Sequence, residues 1–384
     1  MAFSRSLTNQ GRSLMNQSRR LHSGRKAPCL AILDDYLSVS QRHFQHIPSS
    51  KLNIEVFKTP IDQANLVEKP RPFTAISTMR ERTQFPKSLL QELPNLELLL
   101  CTGTQFETFD LNAAKELGIA VVAAPGKGRT DAIPKEKTQV RDIKQGGLHP
   151  ATHHTWALIL GLARNLAADD ATIKSGGWQS DMTVGLSGKT LGIVGLGRLG
   201  AAVARIGILA FGMKVICWSS SLDEQKADDI AASLGLPRDD VFGDRTFKAV
   251  DKKDLFQQSD VVSLHYVLSP RSRGIVSAPE LALMKPEALL VNTSRGPLID
   301  DAALLEILGE GKIKGAALDV FETEPLPADS PWRSPDWGKD GRSRVLLTPH
   351  TGYVEEEIMN NWYAETAENV ERWLAGQKIL HQLV

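Results

Sequence analysis

The chain has 384 residues, enough for two domains with a core each. Hydrophobic residues make up 42% and charged residues 23%, and 45 basic side chains balance 45 acidic ones. That neutrality argues against nucleic acid or an anionic membrane as a bulk partner, and no apolar run approaches the ~18 residues of a membrane span.

Residues 1–26 stand apart. They carry Arg5, Arg12, Arg19, Arg20, Arg25 and Lys26, several serines, and no acid before Asp34. A seven-residue echo, SRSLTNQ, GRSLMNQ, SRRLHSG, stacks Leu7, Leu14 and Leu21 on one helical face and Arg5, Arg12 and Arg19 on another. Arginine-rich, serine-rich, acid-poor and amphipathic describes an organelle transit peptide. The expectation is a mitochondrial protein, the alternative being a cytoplasmic one with a disordered basic tail.

From Ala27 strand-like and helix-like segments alternate, which predicts parallel sheet with crossover helices, an α/β fold. PCLAILDDY, LNIEVF (52–57) and FTAIST (73–78) read as strands, and FPKSLLQEL (85–93) has helical spacing. LELLLCTG is a strand and DLNAAKELG a helix with Asp110 as N-cap and Gly118 as stop; IAVVAA closes one small doubly wound unit. Residues 125–150 are basic, glycine-bearing and without apolar period, and read as a loop insertion. An apolar helix of about four turns or more follows in ATHHTWALILGLARNLAA. His149, His153 and His154 cluster at its start, but without a carboxylate or cysteine at ligand spacing no metal site is expected. Cys29, Cys101 and Cys217 lie far apart in or beside strand-like runs and are read as buried, reduced thiols.

The most informative stretch is LSGKTLGIVGLGRLGAAVARIGILAFGMKVICW. Gly195, Gly197 and Gly200 form a GxGxxG turn between a strand and a helix, within the ~30 residues of a strand–helix–strand unit. This is the fingerprint of a dinucleotide site: Gly195 for the turn, Gly197 for close approach of a pyrophosphate, Gly200 for packing of helix on strand. The helix N-terminus supplies amides and a positive dipole end for the phosphates. The next strand ends in Trp218, Ser219, Ser220 and Ser221, where an acid would hold the ribose of NAD. Ser221, Leu222, Asp223 and Glu224 fit a capping box opening a helix from about Leu222 to Leu234, stopped at Gly235, with Glu224 turned back on the helix start. Ser219 and Ser220 would then face the ribose, a permissive pocket tilted to NADPH, with Arg238 the nearest downstream cation.

SDVVSLH (259–265) and ALLVNTSRGPLID (288–300) read as further strands, with Thr293 and Arg295 just past a carboxyl end, where open α/β sheets bind ligands. An arginine fork there suits a carboxylate. Asp319 and Glu324 follow another strand end in IKGAALDVFETEPLP, and VLLTPHTGY delivers His350 after a last strand. PADSPWRSPDWGKDGRSR (327–344) reads as a surface loop.

From about Ala27 onward, apart from 125–150, the sequence resembles the D-isomer-specific 2-hydroxyacid dehydrogenase family, through GLGRLG, NTSRGPLID, LDVFETEP and TPHTGY, supported by RERTQFP and LPNLELLLCTGT. It closely resembles the fungal and bacterial glyoxylate and hydroxypyruvate reductase-like members. The resemblance implies two doubly wound domains, a Rossmann dinucleotide-binding domain (151–350) inserted in a smaller flavodoxin-like substrate domain (27–150 and 351–384). It implies reduction of a small 2-oxo acid to the D-2-hydroxy acid with NAD(P), and a homodimer. By the same resemblance Arg295 binds the substrate carboxylate, and His350 is the proton donor with Glu324 as its partner. Gly103 and Thr104 would present backbone amides, Arg80 would be a second substrate contact, Asp319 would hold the nicotinamide amide, and Arg198 and Leu199 would lie along the pyrophosphate. Gln105 and Glu107 stand where many members have glycine and aspartate. The alternative on the same fold is a dinucleotide-sensing corepressor-type protein, which the joint presence of Arg295, Glu324 and His350 disfavours.

Overall fold

The computed structural model describes residues 27–61, 65, 67–104, 106–131 and 149–384. The transit-peptide expectation, the position Gln105 and most of the 125–150 insertion fall outside them. The described chain divides into two compact units, one reaching residue 136 and resuming at 356–384, the other spanning 137–355.

In the first unit β1 (Cys29–Ile32), β2 (Asn53–Val56), β3 (Ala75–Met79), β4 (Leu98–Thr102) and β5 (Ala120–Ala124) form a parallel sheet in the order β2-β1-β3-β4-β5. Strands β3 and β4 are buried along their whole length, as expected where both faces of a parallel sheet are covered. Leu89, Leu90, Leu99, Phe109 and Val121 belong to one core cluster on this sheet. The predicted helix at 85–93 shortens to Lys87–Gln91, because Pro86 is its N-cap. Helix Leu111–Glu116 keeps the expected ends: Asp110 accepts from the Ala113 amide at 2.9 Å, and Gly118 follows at φ 74°.

The C-terminal helix, Glu356–Leu374, also belongs to this unit, and three of its acids hold the segment that leaves β5. Glu365 accepts from the Gly126 amide at 2.8 Å and from the Lys127 amide, Glu368 from the Thr130 amide at 2.7 Å, and Glu371 from Arg129 at 2.7 Å. Beyond the helix, the Leu383 amide donates to the Val121 carbonyl at 2.8 Å, so the chain end runs along the edge of β5.

In the second unit β6 (Thr190–Val194), β7 (Lys214–Trp218), β8 (Lys248–Ala249), β9 (Val261–Leu264), β10 (Leu289–Asn292), β11 (Gly315–Leu318) and β12 (Arg344–Leu347) form a parallel sheet. Their order is β12-β11-β10-β9-β6-β7-β8. The strand order reverses between β6 and β9, the switch point at which open α/β sheets bind ligands. Helix Pro150–Ala163 packs eight buried residues, including Trp156 and Ile159, against this sheet; Pro150 suits its first turn, where no amide is needed. The predicted longer helix breaks at Asn165, which is left-handed (φ 57°), and a second helix starts at Leu166. The Pro- and Ser-rich segment 327–344 is more than a surface loop. It carries Trp332, 2% exposed, whose indole N–H donates to Asp301 at 2.9 Å.

Cys101 and Cys217 are buried free thiols as predicted, and burial pushes Cys101 up to about 12; Cys29 is only half-buried.

Candidate active site

In the second unit every strand is parallel, so the expected residues after β6, β7, β10, β11 and β12 gather along one sheet edge. The glycine turn shows why three glycines are needed there. Gly195 sits at φ 99°, and a Cβ on it would lie 2.7 Å from the His265 carbonyl oxygen, on the loop after β9. A Cβ on Gly200 would lie 2.1 Å from the Gly195 oxygen, so helix Arg198–Phe211 can start against the turn only without one. A Cβ on Gly197 would meet nothing within 4 Å. Its bare backbone, the N-cap of that helix, faces open space beside the helix's first amides, and Arg198 is exposed next to it. A cradle closed by two glycines and open at the third fits a pyrophosphate.

At the end of β7 the helix starts two residues later than predicted. Asp223, not Ser221, is the N-cap, accepting from the Lys226 amide at 2.8 Å, and the helix spans Glu224–Ser233. Glu224 is not folded back on its own helix: it accepts from the Ala249 amide of β8 at 2.9 Å and pairs with Arg245 at 3.3 Å. Arg238 pairs loosely with Asp228 at 3.5 Å and Asp239 at 3.8 Å. The strand end therefore carries serines with no carboxylate among them, Ser219 half-buried and Ser220 exposed.

After β10 the chain turns through Thr293, Ser294 and Arg295. Asn292 braces the turn from both sides, its Nδ2 donating to the Arg295 carbonyl at 2.9 Å and its Oδ1 accepting from the Ser294 amide at 3.0 Å. One guanidinium N–H of Arg295 donates to the Ser294 carbonyl at 2.8 Å, and the Thr293 hydroxyl bonds that of Thr155 at 2.7 Å. Gly296 decides what lies beside this turn. A Cβ there would fall 2.0 Å from the Phe321 carbonyl carbon and 2.6 Å from the Glu322 nitrogen. The missing side chain lets the Arg295 turn press on the backbone that leads to Glu324.

Glu324 and His350 meet directly. Glu324 Oε1 accepts from the Phe321 amide at 2.9 Å, and Oε2 pairs with His350 Nδ1 at 2.5 Å. Their side chains keep 20% and 12% of their surface, enough to be reached and too little to be freely solvated. The rings of Tyr353 and His350 meet edge to face, with centroids 5.6 Å apart. His350 holds φ at 51°, uncommon for a residue with a Cβ; its amide donates to the Asp319 carbonyl at 2.7 Å, which fixes that turn.

Asp319, 1% exposed, braces the same loop instead of presenting a surface. Oδ1 accepts from Thr348 Oγ1 at 2.6 Å, the Thr351 amide at 2.8 Å and His154 Nε2 at 3.1 Å, and Oδ2 from the Gly352 amide at 3.0 Å. Burial pushes this carboxyl up, but the bonds from His154 and Thr348 outweigh it and hold it below the usual carboxylate range. His154 was noted in the sequence only as part of a histidine cluster. Its spacing could not show that it reaches across to another strand's end.

Arg80, Gly103 and Thr104 belong to the first unit, at the ends of β3 and β4. Arg80 is left-handed at φ 51°; its amide donates to Thr102 Oγ1 at 3.2 Å, its Nε to Glu81 at 3.2 Å, and its guanidinium lies 5.9 Å from the Trp362 ring centroid. The amide of Gly103 is not available to a substrate carboxylate. It donates to the Ala124 carbonyl at 2.9 Å, and the residue serves instead as a turn at φ 82°. Thr104 follows it, exposed.

The family described as D-isomer specific 2-hydroxyacid dehydrogenase, NAD binding domain, matches residues 156–352. A glyoxylate reductase of Thermococcus litoralis is 32% identical over 84% of this chain and 88% of its own. A D-3-phosphoglycerate dehydrogenase of Methanocaldococcus jannaschii is 33% identical over 83% of this chain, which spans 53%, about half, of that relative's length. The crystal structure of a phosphoglycerate oxidoreductase from Vibrio cholerae superposes with a TM-score of 0.73 at 33% identity, covering 91% of this chain and 99% of that one. With a dinucleotide cradle, a carboxylate-paired histidine and an arginine on one sheet edge, the chain belongs to the D-isomer specific 2-hydroxyacid dehydrogenase family.

Proposed function

We propose that the protein reduces a small 2-oxo acid of the glyoxylate or hydroxypyruvate type to its D-2-hydroxy acid. The observation that carries this reading is the 2.5 Å His350–Glu324 pair, with the Arg295 turn packed through Gly296 against the segment leading to Glu324. Bound at the glycine cradle, a nicotinamide dinucleotide supplies the hydride. Hydride addition turns the 2-oxo group into an alkoxide, which needs a proton. Because Glu324 holds Nδ1 of His350, the proton leaves from Nε2, and Glu324 stabilises the imidazolium that carries it. Arg295 takes the substrate carboxylate through its fork, the bond to Ser294 O fixing the guanidinium on its stem. Asp319 keeps the His350 loop in place. The absence of an acid after β7 supports NADPH over NADH.

The test is consumption of NADPH and NADH with a panel of 2-oxo acids, and the reverse reaction with D-glycerate and 3-phospho-D-glycerate. Turnover of at least one small 2-oxo acid that disappears in His350→Ala supports the reading; inactivity of the wild type on every member overturns it. We further propose that residues 1–26 direct mitochondrial import and that the protein works as a homodimer. A fluorescent fusion of residues 1–26 that stays cytosolic, or a monomer mass by light scattering, would overturn each in turn.

A further inference from the structure

The loop after β9 delivers Tyr266, a residue with no assigned role, to the end of β7. Its ring lies nearly parallel to that of Trp218, 16° between planes with centroids 5.9 Å apart, and Lys252 Nζ lies 5.6 Å from the Trp218 centroid. Ser294 Oγ, next to Arg295, holds the Tyr266 carbonyl at 2.8 Å. The phenol makes two bonds to one residue. The Ser220 amide donates to Tyr266 Oη at 3.3 Å, and Tyr266 Oη donates to Ser220 Oγ at 2.8 Å.

The direction of these bonds matters. An amide can only donate, so the phenol oxygen accepts from it, and in the second bond the phenol gives its own proton to Ser220 Oγ. The serine hydroxyl, now an acceptor on its oxygen, has its proton left to donate outward. Each bond in such a chain polarises the next, so the terminal hydroxyl is a better donor than an isolated serine. An acid at this strand end would present the opposite polarity, a negative acceptor that takes the ribose hydroxyls and repels a phosphate.

We infer that Tyr266 is a specificity-determining residue: through the Ser220 amide–Tyr266 hydroxyl–Ser220 hydroxyl chain it makes the ribose end of the site a donor that selects a 2′-phosphate. Trp218 and the ring of Tyr266 give the chain a rigid backing. This deepens the proposed function and rests on its dinucleotide reading.

The test uses the adenosine half alone, 2′,5′-ADP against 5′-AMP, by titration calorimetry on the full chain, with NADPH binding as a separate control. Wild type is expected to bind 2′,5′-ADP at least ~10-fold more tightly than 5′-AMP, as a charge-assisted hydrogen bond warrants. Tyr266→Phe keeps the ring and removes only the hydroxyl. It should lose most of that ratio, with the 5′-AMP affinity within about twofold of wild type. Ser220→Ala should also lose most of that ratio, which guards against an effect of the ring alone. A ratio unchanged in both variants, or a wild type that prefers 5′-AMP, overturns the inference while leaving the dinucleotide site standing. Failure of wild type to bind NADPH and both half-nucleotides overturns the dinucleotide reading, and the inference with it.

Discussion

Replacing Gly296 by alanine tests the packing that joins the arginine turn to the histidine–glutamate pair. The added Cβ would sit 2.0 Å from the Phe321 carbonyl carbon, 2.1 Å from its oxygen and 2.6 Å from the Glu322 nitrogen. Ordinary contact begins near 3.4 Å, so one backbone must retreat from the other by about 1.4 Å. No flexible side chain can absorb that shift, since every clashing atom is main chain. Overpacking of this kind costs about 1–3 kcal/mol, a fall of roughly 2–10 °C in the melting temperature of a unit this size. The catalytic effect should be larger than the stability effect. The retreating segment carries Glu324, and a misplacement of ~1 Å in a catalytic group costs on the order of 100-fold. Gly296→Ala should therefore lower kcat/KM for the preferred 2-oxo acid by about 100-fold while NADPH still binds, because the glycine cradle lies on other strands. Steady-state kinetics beside a binding titration and a melting curve decide it. A variant that is stable and within threefold of wild-type kcat/KM would refute the argument that Gly296 sets the spacing.

Other consequences are as specific. Gly197→Ala and Gly200→Ala should separate binding from folding. The first has no neighbour within 4 Å and should leave the melting temperature within a degree or two while weakening NADPH binding about tenfold; the second meets the Gly195 oxygen at 2.1 Å and should cost about 1–3 kcal/mol of stability. Glu324→Gln keeps the shape of the carboxylate and removes its charge, and should lower kcat by roughly 100-fold with little change in cofactor affinity. Stability should also fall in mild acid. Burial pushes His265 down to about 4, so between pH 6.5 and 4 the unfolded chain binds a proton that the folded chain refuses. The contribution is intact above about pH 6.5 and is lost as pH falls towards 4, reaching about 1–2 kcal/mol at pH 5; the residue keeps some exposed surface, which favours the lower figure. Urea midpoints at pH 7 and 5 for wild type and His265→Asn check it, the variant losing the difference. Asp319 acts in the same sense at lower pH, since a depressed carboxyl stabilises above its unfolded value and ceases to as pH falls through its folded one.

Much of this site was legible because parallel sheets put function at strand ends. The runs before Gly195, Arg295, Asp319 and His350 are continuous apolar strands, and the residues that follow them lie on one edge in the structure. What escaped the sequence was contact made across strands. Tyr266 was not singled out and His154 stood out only within a histidine cluster, since neither the Ser220–Tyr266 bonds nor the His154–Asp319 bond has a signature in local spacing. The helix after β7 was expected to open at Ser221, but Glu224 is drawn to the Ala249 amide and Arg245 instead of back to the helix start, and Asp223 is the N-cap. Gly103 was misjudged for the same reason: its amide belongs to a bridge with Ala124, 21 positions along the chain. Trp332 lay hidden in a Pro- and Ser-rich stretch whose composition suggested solvent.

The most direct test of the central claim is 2-oxo-acid-dependent oxidation of NADPH by wild type and His350→Gln, with NADPH affinity measured on the same samples. The account predicts turnover of glyoxylate or hydroxypyruvate by wild type, and a fall in kcat of at least ~100-fold in the variant at unchanged NADPH affinity. Equal turnover by both proteins would contradict it.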